Sequence, residues 1–277
     1  MSRGGGMGGF NMPQFTGAVK WLILANVAVF VLQSVMYAFL PEAAQVFRYL
    51  ALTPEHILGR GYLWELISYA FLHGGVMHLF FNMLTLWMFG AQMEGHFGRR
   101  QFFEFFYFCV IGSAIVFTLV SYSAVFGLSP LVHLVGASGG IFGLLIAFGM
   151  IFSEAQIYLF PFPIAVKAKY LVAMWMGIDI LLMLRNEEPG SAIAHLGGAA
   201  FGYLYLKFLP RKGLGFGFSE SFYGVRNRYH KWKRRQAAKK FEVYMREHDR
   251  SDYFDEHGNY RDPKKDNGDA GKGPWVN

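Results

Sequence analysis

Two apolar segments of this 277-residue chain carry residues that could perform hydrolytic chemistry together. Ser138 lies in the run Gly136-Ala137-Ser138-Gly139-Gly140, and His195 lies near the start of a later apolar stretch. A serine hydroxyl is a weak nucleophile until an adjacent base accepts its proton. The pair therefore predicts nucleophilic catalysis, with Ser138 as the nucleophile and His195 as the general base and acid.

A second pair of polar residues, His78 and Asn82, is spaced i, i+4 and so shares one face of a predicted helix. Both side chains can donate hydrogen bonds. If Ser138 begins a helix, its backbone N–H also lacks an intrahelical acceptor. We expect these three donors to form an oxyanion hole, where one donor is worth about 3–4 kcal/mol in the transition state.

Small residues surround both candidate catalytic positions. Gly136 and Gly140 are expected to leave room for a substrate carbonyl beside Ser138. Two GxxxG pairs, whose spacing allows close helix packing in lipid, are Gly139 with Gly143 and Gly198 with Gly202. Phe142 lies one turn after Ser138 on the same helix face, so we expect it to stack against the ring of His195 and fix its orientation.

These residues need membrane helices to position them, and the composition indicates such helices. The chain is 53% apolar and only 16% charged, against about 25% charged residues in ordinary soluble domains. Of its 26 Lys and Arg residues, 16 fall within 211–277. We therefore predict a Gly-rich flexible lead-in (1–16), a membrane domain (17–210) and a basic cytoplasmic tail (211–277) that is part helical and part disordered.

Six stretches within the membrane domain are candidate spans, since a span needs about 20 mostly apolar residues. They are residues 19–40, 75–94, 101–125, 138–153, 166–184 and 192–210. The loop at 41–74 is long and rich in aromatic residues, and we expect it to be partly embedded, with short helices. The single cysteine, Cys109, allows no intramolecular disulfide and is expected to pack as a small hydrophobe.

Charge placement orients the predicted spans, because short segments rich in Lys and Arg stay in the cytoplasm. The basic groups follow alternate spans: first Arg99 and Arg100, then Lys167 and Lys169, then the basic tail. This pattern places both termini inside. Ser138, His195 and His78 then lie near the same, non-cytoplasmic side. We predict a multi-pass integral protein of the cell (inner) membrane.

Three segments together resemble the rhomboid family of intramembrane serine proteases: HGGVMHLFFN, GASGGIFG and AHLGGAAFG, on spans two, four and six. The resemblance covers about residues 17–210. It implies an all-α bundle of six transmembrane helices with a long first loop. It also implies a Ser138–His195 dyad without a third acid, an oxyanion hole of His78, Asn82 and the Ser138 amide, and cleavage of single-pass membrane proteins without a cofactor.

Other positions of the resemblance carry structural expectations or departures. Glu94 resembles an acid that ties helices and loops together, and His73 resembles a position that helps to hold the long first loop. Phe142 stands where a tyrosine is often found, so one possible hydrogen bond is lost. Trp64-Glu65 stands where a Trp-Arg pair is common, which puts arginine-based anchoring of that loop in doubt.

Several alternative interpretations compete with catalysis. Gly136-x-Ser138-x-Gly140 also matches the nucleophile elbow of soluble hydrolases, but its flanks are apolar spans and not alternating strands and helices. Ser138 could merely pack in a helix interface. The main rival function is a non-catalytic rhomboid-like protein that binds or escorts membrane clients. A transporter is a more distant one, because no internal repeat is evident.

Other polar residues admit two interpretations. The histidines at 73, 78, 96 and 133 suggest a metal, but no HExxH motif is present and we expect no metal site. Asp179 could carry a proton or could pair with a neighbour near its helix end, and we favour the pair. The basic, aromatic segment 226–250 is expected to contact anionic lipid and not nucleic acid. The sequence leaves the oligomeric state open.

Overall fold

The computed structural model describes residues 15, 17–123, 127–158, 165–185 and 189–208, and in the tail 229–237, 239–241, 243–244 and 259. Almost all of the predicted flexible lead-in, the middle of the 185–191 loop and most of the tail, including its predicted disorder, lie outside these residues. The chain divides into two compact units, Met1–Leu214 and Gly215–Asn277.

The first unit is mostly helical. Its α-helices are α1 (Gly17–Phe39), α2 (Pro41–Ala44), α3 (Glu65–Ser68), α4 (Val76–Thr85), α5 (Ala91–Phe97), α6 (Arg99–Tyr122), α7 (Ser138–Ile151), α8 (Ala168–Leu184) and α9 (Pro189–Phe208). Short 3-10 or π-helical turns are Gln45–Tyr49, His56–Arg60, Tyr69–Phe71 and Leu86–Gly90, the last of which joins α4 to α5. Each of the six stretches predicted as spans overlaps a helix among the described residues, and the 41–74 stretch contains short helices.

Two of the described helices, α1 and α6, are long and apolar enough to cross a membrane. A third candidate is bent, because Glu65–Phe71 and Val76–Phe97 meet at an angle of 100°. The 14 residues of α7 give a length of about 21 Å, less than the roughly 30 Å of a bilayer core. Most of α7 is buried among other helices, which suits a short helix that neighbours shield from lipid.

The centre of the first unit is built from α6, α7 and α9. α6 buries a run of phenylalanines together with Cys109, which is fully buried as predicted. α7 is the most completely enclosed of the three, and α9 buries a face rich in small residues, including Gly197, Gly198 and Gly202. Small residues on that face let the backbones of α7 and α9 meet without intervening side chains.

The two GxxxG pairs lie against each other at this contact. A Cβ added to Gly198 would overlap the carbonyl group of Gly139, and one added to Gly202 would lie 2.8 Å from the carbonyl oxygen of Gly143. Gly140 lies elsewhere, since a Cβ there would come within 2.6 Å of the Phe106 ring on α6. Gly140 therefore allows close packing against α6, and room for a substrate carbonyl beside the nucleophile stays a prediction.

A two-stranded antiparallel hairpin between α7 and α8 is a feature that the sequence analysis did not predict. β1 (Gln156–Tyr158) pairs with β2 (Ala165–Lys167). Glu154, just before β1, forms ion pairs with Lys167 at 2.8 Å and with Lys169. These two lysines lower the pKa of Glu154 to about 2. The two basic residues on which the predicted orientation relies thus also connect the two ends of this hairpin.

Glu94, in α5 at the far end of the bent helix Val76–Phe97, caps the start of α1. Its Oε1 accepts a hydrogen bond from the backbone N–H of Ala18 at 2.6 Å, and its Oε2 accepts one from Val19 at 3.0 Å. A carboxylate at a helix N-terminus satisfies N–H groups that have no intrahelical partner and complements the helix dipole. Gly17 has φ +72° and no room for a Cβ beside this carboxylate. Glu94 thus connects α1 to α5.

The second unit contains a helical segment at residues 229–237 whose side chains are exposed. Its rings include Tyr229 and Trp232, which lie 6.1 Å apart and are each more than half exposed. Contact of this basic segment with anionic lipid stays a prediction.

Candidate active site

Ser138 is the first residue of α7, and a glycine-dependent backbone geometry leads into it. Gly136 has φ +124°, in a region that side chains disfavour, and its N–H donates to the carbonyl of Tyr69 at 3.0 Å. A Cβ on Gly136 would lie 2.8 Å from Nε2 of His78. Glycine is needed here both for the conformation and for the approach of His78. At the helix start, the Ser138 N–H has no intrahelical acceptor.

His195 lies in the second turn of α9, and its ring stacks on Phe142 of α7. The two ring centroids are 4.0 Å apart and the planes differ by 7°. Because Phe142 is one turn after Ser138 on the same helix face, this stacking brings His195 to the part of α7 that carries Ser138. The expected aromatic support for the histidine is thus present in the structure.

The Nδ1 nitrogen of His195 has a hydrogen-bond partner that the resemblance did not imply. Nδ1 of His195 lies 3.1 Å from Oδ1 of Asp179 on α8. Asp179 is buried, and its side chain is 10% exposed. The pairing of Asp179 with a neighbour, favoured from the sequence, is present, and that neighbour is the candidate catalytic base.

Ser113 is a second positioning residue that sequence reasoning missed. It is fully buried on α6, and its hydroxyl donates to the carbonyl oxygen of Ala194 at 2.7 Å. It therefore ties α6 to α9 at the residue immediately before His195. A lone serine in an apolar helix gives no sequence signal that separates this contact from ordinary packing.

His78 and Asn82 lie together beside the segment that leads into Ser138. Both approach the position where a Gly136 Cβ would stand, His78 at 2.8 Å and the Asn82 amide nitrogen at 3.7 Å. That nitrogen is buried, and no described residue accepts a hydrogen bond from it. His73 packs edge-on against His78 with ring centroids 5.1 Å apart, and its carbonyl accepts from Gln33 on α1. Asn82 thus holds a donor available for a ligand.

Glu65 forms buried contacts within the 41–74 stretch, which was predicted as a long first loop with arginine-based anchoring in doubt. Its carboxylate is fully buried, accepts the backbone N–H of Thr53 at 2.9 Å, and lies 2.8 Å from Nδ1 of His56. The Thr53 hydroxyl in turn lies 2.7 Å from Nδ1 of His133. The Glu65 carboxylate therefore holds the Thr53 backbone and His56, and the Thr53 side chain extends the network to His133.

This network joins the first loop to the segment that precedes Ser138. Leu52 and Leu134 exchange backbone hydrogen bonds of 3.0 and 2.9 Å. Trp64 also contributes, since its Nε1 donates to the carbonyl of Tyr49 at 2.8 Å. The position of Ser138 consequently depends on contacts made by Leu52, 86 residues earlier in the chain.

The histidines do not gather into a metal site within the described residues. No group of three or more His, Cys, Asp or Glu side chains there is arranged to hold an ion. His96 packs instead against Phe152, with ring centroids 5.7 Å apart, and His56 and His133 belong to the loop network.

Comparison with known proteins identifies a family to which the chain is similar. The family model of the rhomboid domain matches residues 60–212. "Rhomboid protein 1, mitochondrial" of Saccharomyces cerevisiae is 32% identical over 208 residues, which is 70% of this chain and 56% of that protein. "RHOMBOID-like protein 4" of Arabidopsis thaliana is 38% identical over 144 residues, 51% of this chain and 32% of the relative.

A third relative is "Presenilin-associated rhomboid-like protein A, mitochondrial" of Danio rerio, 29% identical over 140 residues, which cover 50% of this chain and 36% of the relative. The chain thus spans between about a third and a little over half of the length of these relatives. The family model alone matches more than half of this chain. The chain belongs to the rhomboid family.

Proposed function

We propose that this protein is an intramembrane serine endopeptidase. The observation that carries the proposal is the stacking of His195 on Phe142, one helical turn from Ser138. A serine at the start of a buried helix and a histidine on the adjacent helix have few structural reasons to share this site. Family membership supports the assignment at the level of the domain.

In the proposed reaction, His195 accepts the proton of Ser138 as its Oγ attacks a peptide carbonyl of the substrate. The resulting oxyanion is held by the Ser138 N–H, His78 and Asn82. His195 then donates the proton to the leaving amine, and water releases the acyl group from Ser138 by the reverse sequence of proton transfers. No cofactor is required.

The proposed architecture is a six-span bundle with both termini in the cytoplasm. The six spans would be α1, the bent helix from α4 to α5, α6, α7, α8 and α9. Neighbouring helices would shield the shorter spans. The rhomboid domain is membrane-embedded. We assign it to the cell (inner) membrane, with the domain occupying residues 17–210 and the tail following from 211. Fractionation would test this, because two of the relatives named above are mitochondrial.

The proposed substrate is a single-pass membrane protein that enters laterally past α8. This helix buries few side chains, and bulky apolar residues such as Tyr170 and Leu184 are exposed on it. Cleavage would fall at a small residue in a segment that unwinds readily, since a helical backbone hides its carbonyls. The reacting centre lies toward the non-cytoplasmic side in the proposed orientation.

Cleavage of a transmembrane substrate by the detergent-purified protein tests the assignment. Ser138→Ala should abolish cleavage and fluorophosphonate labelling, and His195→Ala should be comparably damaging because the two act as a unit. Ser123→Ala, at the exposed end of α6, is the matched control and should retain both. Unchanged cleavage by Ser138→Ala would refute the proposal. Binding of membrane clients without labelling would favour the non-catalytic alternative.

The oxyanion hole has its own test. Asn82→Ala should lower kcat by about 10²- to 10³-fold with little change in KM, because the lost donor acts on the transition state. If the loss of kcat in Asn82→Ala were accompanied by a corresponding loss of thermal stability, Asn82 would instead serve only helix packing.

A further inference from the structure

We infer that Asp179 is a positioning residue for the proposed catalytic base: it orients the His195 ring and selects its protonated nitrogen, while Ser138 and His195 remain the reacting pair. The inference rests on the proposed function and adds a residue to it. The observation is the hydrogen bond between Asp179 Oδ1 and His195 Nδ1, at 3.1 Å. That distance lies within the normal range for a nitrogen–oxygen hydrogen bond.

The bond determines which nitrogen of His195 can act. An ionised carboxylate only accepts hydrogen bonds, so Nδ1 of a neutral His195 carries the ring proton and Nε2 keeps the lone pair. The form of the ring that this selects is the one able to take a proton at Nε2. Without the carboxylate, the ring could place its proton on either nitrogen.

Two contacts together fix the ring in space. Stacking on Phe142 sets the plane of the imidazole but leaves it free to turn within that plane. The bond from Nδ1 to Asp179 stops that turn, which sets the direction of Nε2. The contacts come from α7 and α8 respectively, so His195 on α9 is held from two neighbouring helices.

Burying the carboxylate of Asp179 would cost free energy without benefit if the residue had no function. The residue is 7% exposed in an apolar helix, and no described residue donates a hydrogen bond to its Oδ2. A charged side chain within a membrane helix is costly and tends to mark function. The negative charge stands where it would stabilise the imidazolium that forms when His195 accepts the serine proton.

Asp179→Asn, Asp179→Glu and Ser113→Ala test this role in the full-length protein in detergent. We expect Asp179→Asn to lower kcat by between about 10- and 10⁴-fold with KM nearly unchanged, since the amide can donate to Nδ1 and select the wrong ring form. Asp179→Glu should restore part of the loss. Ser113→Ala is the structural control, because it also holds α9 beside His195 but through the backbone.

Nitrogen-15 NMR of labelled histidine reports which ring nitrogen is protonated. A purely structural role of Asp179 would leave this signal unchanged when the residue is replaced. The His195 signal, identified by its loss in His195→Gln, should show a protonated Nδ1 in the wild-type protein and in Ser113→Ala, and should change in Asp179→Asn. If Asp179→Asn keeps the wild-type kcat and an unchanged His195 signal, and Ser138→Ala is inactive, the inference about Asp179 is overturned. Activity that survives Ser138→Ala would remove the proposed function and this role of Asp179 with it.

Discussion

The carbonyl group of Gly139 occupies the space that a Cβ of Gly198 would need. This contact sets the distance between the helix that begins with Ser138 and the helix that carries His195. The separation of the two proposed catalytic residues is thus governed by a backbone-to-backbone contact one residue from the serine and three from the histidine.

Gly198→Ala should therefore force α7 and α9 apart. We expect a loss of about 1–3 kcal/mol in the free energy of unfolding, and loss of cleavage through the displaced His195. Gly177→Ala is the matched control, because nothing lies within 4 Å of a Cβ at that position in α8. Thermal unfolding and cleavage assays in detergent measure both. Equal behaviour of the two variants would contradict the close contact.

Phe142→Leu should lower kcat about 10-fold, because the flat face that orients the His195 ring is lost along with its stacking energy. Phe142→Tyr keeps that face and should stay within about threefold of the wild-type rate. Steady-state kinetics on a transmembrane substrate separate the two variants. If Phe142→Leu kept full kcat, the orienting role of the stacking would be wrong.

Glu94→Gln should destabilise the fold by about 1 kcal/mol, since the charged cap on the first N–H groups of α1 becomes neutral. The comparison variant is Glu42→Gln, whose side chain is exposed at the start of α2. Its effect should stay within about 0.5 kcal/mol. Reversible unfolding in mixed micelles is the measurement, and a cap without energetic value would leave the two variants alike.

Glu65→Gln should loosen the first loop, because a neutral amide cannot replace the charged acceptor shared by Thr53 and His56. The expected cost is about 2 kcal/mol. Glu55→Gln, which alters an exposed hydrogen bond with Tyr122, serves as the control. Hydrogen exchange of the loop amides should rise in Glu65→Gln alone. Unaltered exchange there would mean that the loop is held by its apolar contacts.

The ion pairs of Glu154 predict a pH dependence for the hairpin between α7 and α8. Lys167 and Lys169 lower the pKa of Glu154 from 4.5 to about 2. The folded state thus gains stability that is fully present above pH 4.5 and is lost as the pH falls toward 2. Wild-type protein and Glu154→Gln should differ near neutral pH, converge near pH 2, and differ less in high salt.

Hairpin amide exchange measured across this pH range checks the prediction. A difference between the two proteins that persists unchanged at pH 2 would show that Glu154 acts through packing and not through its charge. Because the side chains are exposed, the effect should be small and confined to the hairpin.

The sequence by itself determined much of the local structure. Apolar length identified the six helical stretches, and the 3.6-residue period put Phe142 on the face of Ser138 and Asn82 on the face of His78. The GxxxG spacing indicated that α7 and α9 would approach closely. These features follow from the order of residues within one helix, which the sequence states directly.

Only the tertiary structure decided which helix faces meet. Asp179 meets His195 because the rotation of α8 against α9 turns that side of the helix inward. Gly140 packs against α6, and Glu65, at the position where arginine-based anchoring was in doubt, contacts Thr53 and His56. Helix rotation and loop pairing arise from packing among distant segments, and the periodicity of a single segment does not contain them.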